Sequence, residues 1–287
     1  MTVKDKILQG RTYLGIELGS TRIKAVLIDD SFSVIASGSK QWENRFENGC
    51  WTYSLDDIHG GIQACYKDLA ENVKAQYGIY PETYGAMGIS AMMHGYMAFD
   101  KNDKLLVPFR TWRNTMTAQA AGELTKLLGF SIPQRWSIAH LYQAVLNKEA
   151  HVPYIAYINT LAGYVHKRLT DRFEVGVGEA SGIFPVEGIG YKKEYCEPTE
   201  KSLAEKGFDH KLKDILPAVR NAGEKGAVLT EEGAKFLDPE GRLKAGVPVC
   251  PPEGDAGTGM VATDSVLKKT GNLSLIHISE PTRLQLI

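Results

Sequence analysis

Gly15-Ile16-Glu17-Leu18-Gly19-Ser20-Thr21-Arg22-Ile23-Lys24 stands between two apolar runs, Thr12 to Leu18 and Ile23 to Ile28. Apolar residues on either side of a small, polar turn predict a β-hairpin whose tip can take conformations that bulky side chains cannot. Backbone N–H groups at such a tip are expected to point outward. With the Ser20 and Thr21 hydroxyls beside them, they suit phosphate oxygens, and Glu17 lies close enough to bind a metal ion or its water shell. An ordinary hairpin explains the same residues, because short turns of this kind recur by chance.

A second segment, Pro252-Glu253-Gly254-Asp255-Ala256-Gly257-Thr258-Gly259, lies near the other end of the chain. Gly254 and Ala256-Gly257 leave little bulk around the Asp255 carboxylate, so a substrate can approach it closely. The run from Ala256 to Thr263 reads as a helix start packed on a neighbouring element. An acid at a helix N-terminus is favoured by the dipole and by free N–H groups, so Asp255 is either a cap or a base that takes a proton from a substrate hydroxyl. The second role is the one phosphoryl transfer to an alcohol needs.

Between these segments, β-rich and helical patterns alternate. Apolar runs at Tyr13 to Leu18, Ile23 to Ile28, Ser33 to Ser37 and Thr83 to Ile89 predict strands. Ser54 caps a helix expected to reach Tyr77, whose Leu55, Ile58, Ile62, Cys65, Leu69 and Val73 form one apolar stripe. Further helices are expected over 137–147 and 159–169, a charged helix-rich excursion over 192–213, and a strand from Val247 to Cys250 that delivers Asp255. This is an α/β order, and no internal repeat is evident.

At this level of detail the chain resembles the N-terminal part of the carbohydrate kinases of the glycerol kinase and xylulose kinase family, called FGGY, within the actin-like ATPase superfamily. Gly15 to Asp29 resembles the family's first phosphate loop, and Gly88-Ile89-Ser90-Ala91-Met92-Met93-His94-Gly95 resembles its sugar-contacting strand and turn. Pro108 to Asn114 resembles the segment that places a tryptophan at the substrate, Gly163 to Gly182 a helix and turn, and Gly254-Asp255 the catalytic aspartate motif. The resemblance implies a ribonuclease H-like domain with a mixed sheet and flanking helices over 12–272, after an N-terminal extension at 1–11. It implies ATP with Mg2+, the phosphates held by Gly19, Ser20, Thr21 and Lys24, and the metal reached from Glu17 through water. On the sugar side it implies Met93, His94, Trp112, Arg113 and Asn114, with Asp255 as general base. Methionine-histidine at 93–94 resembles the relatives that phosphorylate xylulose, whereas glycerol kinases have arginine-glutamate there, so a ketopentose is favoured.

The chain departs from that pattern in places. Glu17 replaces the usual aspartate, Arg113-Asn114 follows Trp112 where an aspartate and an arginine are common, and Glu179-Ala180-Ser181-Gly182 carries glutamate for aspartate. The last change is expected to bear on local packing more than on catalysis. In the family, Gly271-Asn272 leads into a second domain holding most adenosine contacts. Residues 273–287 instead resemble a translated sequencing-library adapter and are read as non-native, and the chain alone is expected to lack kinase activity. An actin-like ATPase with a partner instead of a small substrate, and a non-catalytic sugar or nucleotide sensor, remain as alternatives on the same fold.

Composition sets outer bounds. The chain has 287 residues, 43% hydrophobic and 23% charged, enough to bury a sizeable core as one large domain or two small ones. A net charge of -1 gives no basic field for nucleic acid or anionic lipid, and no apolar run is long enough to span a bilayer. Cys50, Cys65, Cys196 and Cys250 show neither zinc spacing nor a disulfide framework, and the polar N-terminus lacks a signal-peptide core, so a cytoplasmic protein with free thiols is expected. The expected partner is a small-molecule sugar; a homodimer of the full-length parent stays open.

Overall fold

The computed structural model describes residues 1–222, 224 and 226–262. Helix α1 (Val3–Leu8) precedes three antiparallel strands, β1 (Thr12–Leu18), β2 (Arg22–Asp29) and β3 (Val34–Gln41). Their alternation buries Leu14, Ile16 and Leu18 of β1 with Ile23, Ala25 and Leu27 of β2 on one face. That face meets α2 (Leu55–Tyr77), which follows a short hairpin of β4 (Arg45–Glu47) and β5 (Cys50–Thr52). Ser54 caps α2 in a reciprocal box with Asp57, and Gly78 ends it in the left-handed conformation at φ 74°.

Strand β3 is longer than the sequence pattern suggests, because it follows β2 along its whole length, with one irregularity between Leu27 and Ile28. Polar ties hold it to α2: Ser39 N donates to Asp68 Oδ2 at 2.9 Å and Asn72 Nδ2 donates to Ser37 O at 2.8 Å. Residues 1–11, set apart as an extension in the sequence, are docked on the domain. Ile7 is buried, and Lys6 Nζ bridges Asp29 Oδ2 and Asp30 Oδ1 at 2.8 and 2.6 Å.

Beyond α2 the chain crosses over into β6 (Ala86–Ala91), parallel to β1 with Gly15 opposite Gly88 and Glu17 opposite Ser90. The middle of the chain builds a second hydrophobic cluster. The elements along this stretch are β7 (Met97–Phe99), α3 (Ala118–Leu128), α4 (Ser137–Leu146), β8 (Tyr157–Asn159), α5 (Leu161–Thr170), β9 (Glu174–Gly176), α6 (Val177–Ala180), β10 (Val186–Glu187), β11 (Gly190–Tyr191), α7 (Lys193–Glu205) and α8 (Leu212–Ile215), of which α5 packs into the first core. Tyr96, Trp136, Tyr142 and Phe184 are buried in the second cluster.

The main sheet is completed by strands from the far end of the chain. After β12 (Ala218–Arg220) come β13 (Ala227–Val228), α9 (Glu231–Leu237), β14 (Pro248–Val249), β15 (Glu253–Gly254) and α10 (Asp255–Ala262). The order is β13-β14-β6-β1-β2-β3, with β15 also pairing parallel to β6, Glu253 beside Ser90 and Gly254 beside Ala91. This is the mixed sheet with crossover helices expected of a ribonuclease H-like domain. The strand expected over 247–250 is the two-residue β14, and a further short strand, β15, follows Cys250-Pro251-Pro252, since proline removes the N–H that a continuous ladder needs. The adapter-like tail and the Gly271-Asn272 motif lie outside the described residues. No helix among the described residues is long and apolar enough to cross a membrane.

Candidate active site

Parallel pairing of β6 with both β1 and β15 brings the two sequence segments together. On the sheet face away from α2, a cleft of about 490 Å³ is lined by Glu17, Lys24, Ser90, Glu253, Asp255 and Thr258 around a floor that includes Gly15 and Gly88. A Cβ at either glycine would meet nothing within 4 Å, so the floor is open to a ligand. Glu17 and Lys24 are register partners across the β1–β2 hairpin, with Glu17 Oε2 at 3.5 Å from Lys24 Nζ.

Asp255 begins α10, where helix N–H groups face the acid. Its Oδ1 accepts from Met93 N at 3.3 Å, so the end of β6 and the start of α10 share one carboxylate. Although solvent reaches Asp255 along the cleft, partial burial pushes its pKa up and the charge of Glu17 adds to this, against the hydrogen bonds from Met93 and Ala256. A carboxylate so poised can accept a hydroxyl proton better than an ordinary aspartate.

Met93 is buried against Gly254, and His94 adopts φ 68°. Left-handed backbone is uncommon for a residue with a side chain, and here it ends β6 and turns the chain toward Gly95. The His94 ring lies against the turn after α6: its Nδ1 is 2.5 Å from where a Cβ on Gly182 would stand. Of the hairpin tip, Gly19 N donates to Arg22 O at 3.1 Å, so that N–H closes the turn and does not point outward as the sequence suggested. Trp42 Nε1 donates to Gly19 O at 2.7 Å, Trp42 N to Thr21 O at 3.3 Å, and Tyr53 OH to Ser20 O at 2.5 Å. Trp112 Nε1 donates to Ser20 Oγ at 3.2 Å, which joins the tryptophan segment to the phosphate-loop candidate.

Two residues of that segment take other roles. Asn114 is buried, and its amide is spent on backbone: Oδ1 accepts from Trp51 N at 2.9 Å, while Nδ2 donates to Trp51 O at 2.8 Å and Thr111 O at 3.0 Å. It fixes the segment to β5. Arg113 is exposed and stacks on the Trp51 ring at 3.6 Å. Glu253 and Ser90 were given no role from sequence, yet both line the cleft. Glu253 stands inside the quoted Pro-Glu-Gly-Asp segment, but nothing local shows that its carboxylate turns to α6, where Oε2 accepts from Glu179 N at 3.1 Å.

No group of three or more His, Cys, Asp or Glu side chains able to hold a metal occurs among the described residues. Glu17 is nonetheless an oxygen donor on the cleft, and it fits a hydrated magnesium that arrives with phosphates better than a caged ion.

The sequence model of the FGGY family of carbohydrate kinases, N-terminal domain, matches residues 12–262. The chain belongs to that family. A xylulose kinase from Haemophilus influenzae is 24% identical over 277 residues, which cover 92% of this chain and 54% of that protein. Among solved structures, a xylulose kinase from Rhodospirillum rubrum superposes with a TM-score of 0.69 at 18% identity, covering 88% of this chain and 51% of the other. A Plasmodium falciparum glycerol kinase with ADP superposes at 0.66 and 14% identity, covering 88% and 50%. The chain thus spans about half the length of the relatives it matches. Similar scores for a xylulose and a glycerol kinase show that the shared fold does not choose the substrate.

Proposed function

We propose that the protein carrying this chain transfers a phosphoryl group from ATP to a hydroxyl of a ketopentose such as xylulose, with Asp255 as general base. The observation that carries this reading is the meeting of Asp255 with Met93-His94 at the joined ends of β15 and β6, beside Glu17 and Lys24 on one cleft. Asp255 accepts the hydroxyl proton as the sugar oxygen attacks. Met93 orients the carboxylate through its backbone N–H, and His94 and Trp112 bind the sugar, one by a hydrogen bond and one by its apolar face. Gly19, Ser20, Thr21 and Lys24 would hold the phosphates, with Glu17 reaching Mg2+ through water. ATP with its metal supplies the phosphoryl group and neutralises charge developing on it. The matching Haemophilus influenzae protein is a xylulose kinase, which agrees with the ketopentose.

The test is ADP release by the protein that carries this chain, with xylulose, other ketoses and glycerol. Preference for a ketopentose is expected; equal or better use of glycerol overturns the substrate, and ADP release indifferent to every sugar favours an actin-like ATPase. In the same assay, His94→Ala is expected to raise the KM for ketose about tenfold, the order of one lost sugar hydrogen bond, with the KM for ATP little changed. Equal changes in both constants would remove His94 from the sugar site. A cytoplasmic enzyme, and a homodimer of the complete protein, belong to this reading.

A further inference from the structure

Glu179 has chemistry that this reaction leaves unused. It lies on α6, is 0% exposed, and neither Oε1 nor Oε2 has a hydrogen-bond partner among the described residues. Its Oε2 is 2.8 Å from the point that a Cβ on Gly254 would occupy, and Met93 Cγ is 2.1 Å from the same point. Carboxyl and thioether chain therefore close over the residue just before Asp255. The residues on each side of Gly254 are tied down: Glu253 Oε2 accepts from Glu179 N at 3.1 Å, and Asp255 Oδ1 accepts from Met93 N at 3.3 Å. Glu253, Gly254 and Asp255 form a strap, and the Glu179 carboxyl is packed behind its middle.

A carboxylate in such a place is strongly disfavoured, because the Thr160 hydroxyl alone does not replace the water it gave up. Burial pushes Glu179 up to about 8; the Thr160 hydroxyl opposes this, and the charges of Glu253 and Asp255 add to it. The charge of Glu179 also helps to raise the buried Tyr191 hydroxyl, after burial itself, and His94 lies across the turn at Gly182. Glu253 is itself raised, to about 7, by burial. The charges of Glu253 and Asp255 on the strap therefore favour the neutral form of Glu179.

We propose that Glu179 is a positioning residue that must stay a neutral acid for Asp255 to work, because its ionisation puts a negative charge behind the strap and displaces the base. The proton lost on ionisation goes to solvent. This rests on the kinase reading above, and it assigns to Glu179 a part in catalysis where the sequence suggested packing alone.

Two measurements on the complete protein test it. Ketose phosphorylation by the wild type is expected to fall about tenfold between pH 7 and about pH 9, as one group with a midpoint near 8 ionises. In Glu179→Gln, which stays neutral, the ratio of the two rates should remain near one, whatever the rate at pH 7. The same fall in the variant overturns the proposal. The second measurement needs no turnover and no change at Glu179: carboxyl titration by carbon-13 NMR in wild type and in Asp255→Asn, with Glu253→Gln to separate the two raised glutamates. Removing the Asp255 charge should lower the Glu179 midpoint, by less than Glu253→Gln does, because its charge is the smaller of the two that raise it. A Glu179 midpoint in the ordinary carboxyl range, or one that ignores Asp255→Asn, overturns the coupling. A protein without ketose-dependent turnover would sink the kinase reading, while the titration would still decide the coupling.

Discussion

Asp255→Asn is expected to lower ketose-dependent turnover about 100-fold or more while ketose affinity changes little, the loss usual for a missing general base. Asparagine keeps the size of the side chain, and its amide oxygen can still accept the Met93 N–H now bonded to Asp255 Oδ1 at 3.3 Å. Only the ability to take a proton disappears. Weaker interaction with the α10 dipole adds about 0.3–1 kcal/mol of instability at most, too little to imitate the loss of rate. The pH profile gives a second check. With its pKa raised by burial and by Glu17, Asp255 is ionised only above that midpoint, so wild-type turnover should be lost as pH falls through it. The residual activity of the variant should lack this acid limb. Near-wild-type turnover in Asp255→Asn would remove Asp255 from the reaction and leave it as a helix cap.

The parts of this site that could be read from the chain are those fixed by neighbours in sequence. The β1–β2 hairpin follows from apolar alternation around one turn, and α2 follows from Ser54, Asp57 and a stripe at helical spacing. The start of α10 at Asp255 is marked by the small residues around it. What the sequence left hidden depends on contacts between distant residues. The hold of the Asn114 amide on Trp51, 63 positions away, is one such contact. The Glu253 carboxylate meets the Glu179 backbone N–H across 74 positions, so its partner is not announced locally. The short strands β14 and β15 carry too few residues to show alternation, and only their pairing with β6 reveals them as strands. Family resemblance supplied the order of the motifs, yet the way Ser20 and Trp112 join through a hydrogen bond is a fact of packing.

Gly38→Ala is expected to destabilise the domain by about 3 kcal/mol or more, at the upper end of overpacking costs, although Gly38 does not line the cleft. A Cβ at this position of β3 would stand 2.4 Å from Leu69 N and 2.5 Å from Cys65 O, both backbone atoms of α2. Side chains can rotate out of such a contact, but helix backbone can yield only if α2 lifts from the sheet. Lifting it would strain the Ser39–Asp68 and Ser37–Asn72 hydrogen bonds and loosen Cys65, Leu69 and Val73, all buried beneath the helix. Gly254 provides the contrast. There the obstructing atoms are Met93 Cγ and Glu179 Oε2, both on side chains, so Gly254→Ala should cost less stability and more turnover through the displaced Asp255. Urea unfolding of both variants separates the two cases: a large drop in midpoint with an unchanged slope is expected for Gly38→Ala. A Gly38→Ala midpoint indistinguishable from wild type would mean that α2 does not press on β3 as closely as these distances require.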